Sequence, residues 1–365
     1  MEKSQIHIVY LHKEFPFGGA EKVTIDIANE LVFRGYEVTI LTQVHHEDKY
    51  PAHCRKLFHV EILPKGKYKF SFRIAYFLRN YFKQHRVSVF VSYRELLYAK
   101  WLKRQTGVAF VFALQSMPFY EMSNASWMSR IFYLNKYWRI YRTADAYGVL
   151  CEKHQQRLIQ ALSLDPHSNK IHVLPNSIEI NPAVVWKKEE YVIFVGRLSH
   201  RDKRVDRLLR IWAIAQNDIP NWQLKIIGDG PERENLEAQA RQIKLQNVCF
   251  EGFNTDTQPF FDKAAILCLT SSFEGWPLVL IEAQANAVIP MVFDGFDAAK
   301  AIVSSPGEGI LVAPFDEQAY ARELVALARD TGRRHHMQKA VVAKAATYDI
   351  EHTVQAWISL LDHIM

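Results

Sequence analysis

Residues 265–293 read AILCLTSSFEGWPLVLIEAQANAVIPMVF and contain the pattern on which the fold prediction rests. The first six residues, AILCLT, form a short apolar run that predicts a buried strand, and VIPMVF at 288–293 predicts a second one. Between them, SSFEGW predicts a loop, and Pro277 fits the first turn of a helix. A buried strand, a helix and another buried strand form the repeating unit of a parallel sheet covered by helices.

The same alternation of short apolar runs and helix-length amphipathic segments extends along the chain. The predicted strands are residues 6–11, 36–42, 59–63, 87–93, 108–114, 146–151, 170–175, 191–196, 222–228, 248–253, 265–270, 288–293 and 309–313. Thirteen strands are too many for one doubly wound sheet, and a polar, proline-bounded stretch at 175–182 separates the first seven from the last six. The sequence therefore predicts an α/β fold with two Rossmann-like, doubly wound parallel-sheet domains facing a central cleft, the default ligand site.

Composition favours a cytoplasmic protein and excludes several kinds of site. The 365 residues are 49% hydrophobic and 23% charged, and no apolar run reaches the roughly 18 residues of a membrane-spanning helix. The N-terminal residues lack the apolar region of a signal peptide. Four scattered cysteines predict neither a zinc site nor a disulfide framework, and they favour a reducing cytosol. They are Cys54, Cys151, Cys249 and Cys268.

Two segments in the first half, 65–86 and 127–142, combine cations with aromatic residues and contain no acid. The net charge of +6 is only a mild bias toward anionic partners, but these segments concentrate it. Basic, aromatic, helix-length segments suit an anionic membrane surface. The alternative is a solvated helix face whose aromatic side chains turn into the core. We predict a protein peripheral to the inner face of the cell membrane, with no nucleic-acid partner.

Glycines and cations follow strands in both halves. Gly18-Gly19 precede a predicted helix in the first half, where N–H groups would bind an anion, although Gly-Gly alone is weak evidence. In the second half Arg197 and Lys203 follow the strand at 191–196, and at its carboxyl end they would bind a diphosphate. The alternative is a solvated basic turn. The glycines at 228–230 do not complete a GxGxxG pattern and give little support to a dinucleotide site.

Two glutamates lie on either side of the predicted helix start in the segment 265–293. Glu274 is predicted at the carboxyl end of a parallel strand, where α/β proteins bind ligands. Glu282 lies about a turn and a half into the helix, within reach of the same site. Carboxylates accept hydrogen bonds from hydroxyls and a helix start binds phosphate, so the pair predicts a sugar nucleotide. The alternative for Glu282 is a buried, paired core acid, which is rare.

In these motifs the chain resembles the retaining glycosyltransferases of family 4, which have the two-domain GT-B architecture. The resemblance extends from GGAEKVTIDIANELVFRGYEV through VLPNSIEI, VGRLSHRDKRVDRLL, IGDGPERENLE and VCFEGF to TSSFEGWPLVLIEAQANAVIPMV. It implies an acceptor-side domain at 1–178, a nucleotide-sugar-binding domain at 179–347, and a helix at 348–365 that crosses back to the first domain.

The resemblance also implies an activity. A sugar would move from a nucleoside-diphosphate sugar, with a UDP-sugar favoured and a GDP-sugar as the alternative, to a polysaccharide or lipid-linked saccharide in cell-surface glycan biosynthesis. No cofactor and no metal ion is expected, because the sequence has no Asp-x-Asp and Arg197 and Lys203 can neutralise the leaving diphosphate. An epimerase of the same shape is disfavoured by these two cations together with the two glutamates. A non-catalytic nucleotide-sugar-binding subunit is the third reading.

Carried over residue by residue, the family's pattern gives each position a role. Arg197 and Lys203 would bind the donor diphosphate, Glu274 would hold hydroxyls of the transferred sugar, and Glu282 would hold those of the ribose. The remaining implied contacts are Gly275, Leu278 and Val279 at the sugar and phosphate, Phe253 and Asn254 at the nucleobase, and Gly18 and Gly19 over the phosphates.

Two positions depart from the family's pattern. The spacing from Arg197 to Lys203 is one residue longer than the commonest form, so Arg201 or Arg204 could share the role of Lys203. Gln115 stands where the family often has a histidine near the reacting sugar, and it alone favours the non-catalytic reading. Glutamine can hydrogen-bond a hydroxyl but cannot act as a base. A retaining transfer in which the leaving phosphate takes the acceptor's proton tolerates this change.

Overall fold

The computed structural model describes residues 5–16, 19–50, 54–67, 71–119, 126–178, 180 and 183–365. The chain divides into two compact units. The first unit consists of Met1–Ser177 and Ile350–Met365, and the second consists of Ile178–Asp349. Each unit is built on its own parallel sheet, which confirms the predicted α/β class with two doubly wound domains.

The elements of the first unit alternate between strand and helix. Its strands are β1 (His7–Phe15), β2 (Glu37–His45), β3 (His59–Ile62), β4 (Val89–Ser92), β5 (Ala109–Ala113), β6 (Ala146–Val149) and β7 (Ile171–Val173). Its helices before the second unit are α1 (Gly19–Phe33), α2 (Phe72–Gln84), α3 (Ala99–Thr106), α4 (Trp127–Thr143) and α5 (Glu152–Ala161). In the described part of the chain these strands form one parallel sheet of seven, in the order β3-β2-β1-β4-β5-β6-β7.

β1 is an inner strand of this sheet and pairs with an apolar strand on each side. Ile8 pairs with Val38 of β2 on one side and with Val89 of β4 on the other, and all three side chains are buried. One face of the sheet is covered by α2, α3, α4 and α5, whose inner side chains share a single core with the strands. Since the connection from β1 to β2 runs in the opposite direction across the sheet, right-handed crossovers place α1 on the other face.

The second unit repeats this plan. Its strands are β8 (Tyr191–Val195), β9 (Gln223–Ile227), β10 (Val248–Gly252), β11 (Ile266–Leu269), β12 (Ile289–Phe293) and β13 (Ile310–Val312). Its helices are α6 (Val205–Ala215), α7 (Arg233–Gln242), α8 (Gln258–Lys263), α9 (Leu278–Ala285), α10 (Asp297–Ile302), α11 (Glu317–Arg329) and α12 (Thr331–Ala345). Within the described residues the sheet has six strands, in the order β10-β9-β8-β11-β12-β13.

The last helix, α13 (Ile350–Ile364), returns to the first unit. It packs against α1, and the ring of Trp357 lies 5.8 Å from that of Tyr10 in β1. Thr353 Oγ1 donates a hydrogen bond of 2.9 Å to the carbonyl of Pro175. An ion pair between Arg34 and Glu351 joins α13 to the residue that follows α1. Apolar packing with polar contacts at its first turn therefore fixes α13 on the first sheet.

Both sheets reverse strand order beside their first strand, between β1 and β4 and between β8 and β11. At such a point the neighbouring connections leave on opposite faces, and a crevice opens at the carboxyl ends of the strands. The loops after β8 and β11 contain Arg197, Lys203 and Glu274, so the second sheet brings these predicted residues to its own reversal point.

Candidate functional site

Two loops at the carboxyl edge of the second sheet form the candidate site. The first follows β8 and contains residues 196–204, and the second follows β11 and contains residues 270–277. The amide of Ser272 donates to the carbonyl of Asp202 at 2.8 Å, and Thr270 Oγ1 donates to the carbonyl of Arg204 at 3.0 Å. These two hydrogen bonds join the loops, so residues far apart in sequence share one small region.

The joined loops bring Lys203 and Glu274 into contact. Lys203 Nζ lies 2.6 Å from Glu274 Oε1, and the same oxygen accepts a hydrogen bond of 2.7 Å from Ser271 Oγ. Both charged side chains are largely shielded from solvent, with 20% and 13% of their area exposed. A shielded ion pair is screened less by water and salt than a surface pair, so the geometry of this contact is well defined.

Arg197 differs from its basic neighbours because it is exposed and has no anionic partner among the described residues. It follows Gly196, the glycine that ends the strand run, and therefore lies at the edge of the reversal point. An unpaired guanidinium in this position can bind an anion with two parallel hydrogen bonds.

Arg204 and Arg201, the two candidates to share the role of Lys203, have other contacts. Arg204 Nε and Nη2 each donate to the carboxylate of Asp206 at 2.9 Å. Burial alone would raise the pKa of Asp206, but the hydrogen bonds and charge of Arg204, with those of Arg210, lower it to about 2. Arg201 lies 4.0 Å from the carboxylate of its neighbour Asp202. The guanidinium of Arg204 is thus committed to a permanent anion.

The glycines at 228 and 230 support the first loop through close packing. A Cβ atom on Gly228 would lie 1.9 Å from the carbonyl oxygen of Gly196, and one on Gly230 would lie 2.3 Å from that of Leu198. The amide of Leu198 donates to the carbonyl of Asp229 at 2.9 Å. Only glycine permits the two turns to approach this closely. The pair therefore positions the loop that carries Arg197.

The second loop leads into α9. Pro277, predicted in the first turn, instead occupies the cap position immediately before Leu278, and its side chain cannot accept a hydrogen bond from the helix start. No described residue accepts a hydrogen bond from the amides of Leu278 or Val279, apart from bonds internal to the helix. Such amides carry partial positive charge and attract an anion. Gly275 lies in the loop before them and is partly exposed.

Glu282 occupies the fifth position of α9, slightly more than one turn from its start, and is partly buried. Val279, at the second position of α9, is buried, whereas Leu278 is partly exposed. Phe253 and Asn254 follow β10, two strands from β8 in the same sheet edge, and the Phe253 ring is exposed. Asn254 Oδ1 accepts a hydrogen bond of 2.9 Å from the amide of Asp256 and so shapes its own turn.

The predicted residues of the first unit lie at the carboxyl edge of the first sheet. Gly19 is the first residue of α1 and is exposed, whereas Gly18 lies outside the described residues. Gln115 follows β5, and its Oε1 accepts a hydrogen bond of 3.1 Å from Asn176 Nδ2, which follows β7. This bond fixes the orientation of the Gln115 amide.

A polar cluster beside the start of α1 was not among the predicted site residues. His12 Nδ1 lies 3.4 Å from Glu21 Oε1, and His12 Nε2 lies 3.1 Å from Thr24 Oγ1, which also contacts Tyr93 OH at 2.8 Å. Burial would raise the pKa of Glu21, but the hydrogen bond and charge of His12 outweigh it, and that pKa is lowered. The available signal was His12 itself, a histidine directly after the strand predicted at 6–11.

Across the described ranges, no group of three or more His, Cys, Asp or Glu side chains is arranged to hold a metal ion. In the same ranges, every helix is too short or too polar to cross a membrane.

Comparison with known proteins adds to this geometry. The family model described as "Glycosyltransferase Family 4" matches residues 17–181, and the one described as "Glycosyl transferases group 1" matches residues 177–343. Together the two models cover nearly the whole chain.

Two curated relatives and one solved structure illustrate the similarity. GalNAc-alpha-(1->4)-GalNAc-alpha-(1->3)-diNAcBac-PP-undecaprenol alpha-1,4-N-acetyl-D-galactosaminyltransferase of Campylobacter jejuni is 26% identical over 95% of this chain and 96% of its own. Amylovoran biosynthesis glycosyltransferase AmsD of Erwinia amylovora is 26% identical over 61% of this chain and 63% of its own. The structure of Anabaena HepE in complex with UDP and glucose superposes with a TM-score of 0.80 at 18% identity, over 97% of this chain and 99% of that one.

The fold of two parallel-sheet units is therefore that of the GT-B glycosyltransferases, and the predicted resemblance is confirmed. One family model matches residues of the first unit and the other matches residues of the second. The chain belongs to the family 4 glycosyltransferases.

Proposed function

We propose that this glycosyltransferase moves a sugar from a nucleoside-diphosphate sugar to a lipid-linked or polysaccharide acceptor, with retention of configuration and without a metal ion. The observation that carries the proposal is the contact of Lys203 Nζ with Glu274 Oε1, 2.6 Å apart at the reversal point of the second sheet. A cation and a carboxylate side by side match a ligand that carries both a diphosphate and a polyol.

The positive groups of this edge would bind the donor diphosphate. Arg197 is exposed and has no anionic partner among the described residues, and Lys203 has one carboxylate to exchange for another anion. The start of α9 adds unpaired amides at Leu278 and Val279. Two cations and a helix start stabilise the charge that develops on a leaving diphosphate, which is the task a divalent ion performs elsewhere.

The two glutamates would bind hydroxyl groups of the donor. In Glu274, Oε1 accepts from Lys203 and Ser271, and no described residue bonds to Oε2, which can accept a hydroxyl of the transferred sugar. Glu282 lies further along α9 and would accept the ribose hydroxyls, while the backbone of Gly275 would approach the sugar. Gly19 stays a predicted contact of the phosphates.

The nucleobase of the donor is proposed from one solved structure and from the residues after β10. A UDP-sugar is the favoured donor, and the similarity to HepE, whose structure contains UDP and glucose, supports this choice. A GDP-sugar is the alternative. The exposed ring of Phe253 and the turn formed by Asn254 lie at the same edge of the sheet and would border the nucleobase.

Retention would follow from a transfer in which the leaving phosphate accepts the acceptor's proton. Glutamine cannot act as a base, so Gln115 would only orient a sugar hydroxyl with the amide hydrogens that its bond to Asn176 leaves available. The carboxylate of Glu274 would stabilise positive charge at the sugar carbon in the transition state.

The acceptor is proposed to be a saccharide on a lipid carrier. The Campylobacter jejuni relative acts, by its name, on a diphospho-undecaprenol-linked saccharide, and this supports the proposal. An enzyme that uses a lipid carrier must work at the membrane surface. We therefore propose a cytoplasmic enzyme, peripheral to the inner face of the membrane, in cell-surface glycan biosynthesis.

The outer faces of α2 and α4 are the proposed membrane contact. Phe72 is 90% exposed at the start of α2, and Trp127 and Phe132 of α4 are 70% and 63% exposed. Both helices cover the same face of the first sheet, because their inner side chains share one core. Their exposed aromatic rings support the membrane reading over a solvated face whose aromatic side chains turn into the core.

Cations accompany these rings on both helices. Arg139 forms an ion pair with Glu95 from the loop after β4, and residues 68–70 of the first basic segment lie outside the described residues. The other cations on the two helices are Arg73, Arg79, Lys83, Arg130, Lys136 and Arg142, and Lys136 Nζ lies 5.7 Å from the centroid of the Tyr133 ring. Each cation near an anionic surface contributes about 1 kcal/mol, so this number suffices for reversible binding.

A panel of nucleotide sugars tests the proposal. UDP-glucose, UDP-galactose, UDP-N-acetylglucosamine, UDP-N-acetylgalactosamine and GDP-mannose are each mixed with the protein in EDTA, and the melting temperature and the release of free sugar are followed. We expect one of them to raise the melting temperature and to be slowly hydrolysed. Conversion to an epimer without release of sugar would indicate an epimerase. Binding without any turnover would indicate a non-catalytic subunit.

A further inference from the structure

We infer that Arg207, on the first turn of α6, is a positioning residue that keeps Glu274 in place against Lys203. The inference rests on the proposed function, since it concerns the two residues assigned to the donor's sugar and diphosphate. Arg207 is half-buried behind the loops and is assigned no contact with the donor.

Arg207 binds the second loop on both sides of the residue that orients Glu274. Its Nη1 donates to the carbonyl of Thr270 at 3.3 Å and to Ser272 Oγ at 3.2 Å. Ser271 lies between them, is fully buried, and donates its hydroxyl hydrogen to Glu274 Oε1. One guanidinium therefore fixes the two backbone neighbours of the serine that holds the carboxylate.

The same two residues make the hydrogen bonds that join the loops. Thr270 Oγ1 donates to the carbonyl of Arg204, and the amide of Ser272 donates to the carbonyl of Asp202. Arg207 uses the other polar groups of these two residues, the carbonyl of Thr270 and the hydroxyl of Ser272, so its contacts add to those that join the loops. Displacement of this segment would move Glu274 away from Lys203.

Arg207 is itself held in place by an aromatic ring. Its guanidinium carbon lies 4.1 Å from the centroid of the Phe315 ring, within range of a cation–π contact. Phe315 has φ of 62°, a left-handed conformation that a bulky side chain rarely adopts. The ring lies close to Gly295, where an added Cβ atom would be only 3.3 Å from it. The strained backbone and the missing side chain together orient the ring toward Arg207.

Arg210 provides a matched control on the same helix. It has the same charge and forms ion pairs with Glu317 and Asp206, at 2.6 Å and 3.1 Å, but does not contact the loop that carries Glu274. Loss of Arg210 removes the same cationic group from the same helix, together with two ion pairs that Arg207 does not have. It leaves the support of the loop intact.

The test compares Arg207→Ala, Arg207→Lys and Arg210→Ala with wild type. The measured quantities are the kcat for hydrolysis of the panel's best sugar-nucleotide substrate, the affinity for UDP, and the melting temperature. A misplacement of about 1 Å can cost about 100-fold in rate, so we expect Arg207→Ala to lower kcat by roughly 10- to 100-fold. UDP affinity should change less than about threefold, because UDP lacks the transferred sugar that Glu274 is proposed to hold.

Arg207→Lys should recover part of the rate, since an ammonium group reaches one acceptor but cannot span two. Arg210→Ala should keep kcat within about twofold of wild type, even with a lower melting temperature. If Arg207→Ala is unfolded, Phe315→Leu keeps the hydrogen bonds of Arg207 and removes only its support, and kcat should fall by a smaller factor.

The inference would be overturned if Arg207→Ala and Arg210→Ala had equal kcat values. If Arg207→Ala does not fold, an unchanged kcat in Phe315→Leu would overturn it. Lys203→Ala separates this outcome from a failure of the proposed function. Full activity of Lys203→Ala would contradict the assigned site itself. A defective Lys203→Ala beside a fully active Arg207→Ala would contradict only the role of Arg207.

Discussion

Lys203 Nζ lies 2.6 Å from Glu274 Oε1, so the cation proposed for the diphosphate and the carboxylate proposed for the sugar are each other's partners in this structure. Neither residue is free before the donor arrives. A donor diphosphate would compete with Glu274 for Lys203, and its arrival would release Glu274 for the sugar. The two recognition events are then coupled through one ion pair.

Glu274→Gln should separate the two roles. The change removes the negative charge that neutralises Lys203, so the affinity for UDP should stay equal or rise up to about threefold. Turnover of the full donor should fall by roughly 100-fold, since a neutral amide cannot stabilise positive charge at the sugar carbon. Calorimetry with UDP and initial rates with the donor measure the two effects. Weaker UDP binding together with normal turnover would contradict this assignment.

Lys203→Ala should weaken UDP binding by about 2–4 kcal/mol, the scale of a lost charged contact together with a carboxylate left unpaired. Adding Glu274→Gln to this variant should recover part of the loss, because the repulsive charge is removed. The coupling energy of this double-mutant cycle should be about 0.5–3 kcal/mol. Additive losses in UDP affinity would show that the ion pair does not influence diphosphate binding.

Asp206→Asn tests the ion pairs behind the site. The folded-state pKa of Asp206 is lowered from 3.8 to about 2, so its carboxylate stabilises the fold above pH 4, and this contribution is lost as the pH falls toward 2. After allowance for solvent screening, the variant should lose about 1–2 kcal/mol in the free energy of unfolding at pH 7.

Urea denaturation at pH 7 and at pH 3 measures this difference. The gap between wild type and Asp206→Asn should be smaller at pH 3. Asp218→Asn is the control, because its pair with Arg329 is more than half exposed and should contribute little. A gap that is independent of pH would contradict the role of the ionised carboxylate.

The membrane proposal is tested with the double variant Trp127→Ser/Phe132→Ser. Its binding to phosphatidylglycerol vesicles in a co-sedimentation assay should fall several-fold, since both rings are removed from the proposed contact. Phe33→Ser is the control, because Phe33 is 80% exposed on α1 at the other face of the sheet. Wild-type binding should also fall as salt increases. An equal loss in both variants would contradict the assigned face.

The fold was predictable because each strand is a short apolar run, and all thirteen predicted runs coincide with strands of the structure. Strand ends were less predictable. β1 continues to Phe15, four residues beyond the predicted end, because it pairs further with β2 through Glu14 and Val44. The residues added there are mostly polar, and hydrophobic periodicity contains no signal for them.

The candidate residues were predictable one by one, but their contacts were not. Lys203 and Glu274 are 71 residues apart, and their pairing depends on the hydrogen bonds that join the two loops. Arg204 was a candidate to share the role of Lys203, but its side chain binds Asp206 instead. Its backbone has a left-handed conformation, with φ of 51°. Sequence spacing cannot distinguish these neighbouring cations, since backbone conformation decides which of them reaches the edge.

The configuration of the first sugar released tests the central claim most directly. The best donor of the panel, an α-linked sugar nucleotide, is hydrolysed in EDTA, and proton NMR follows the anomeric signals before mutarotation. Transfer with retention and without metal predicts that the α-anomer appears first, at the same rate as in magnesium. First appearance of the β-anomer, or release only after magnesium or manganese is added, would contradict the account.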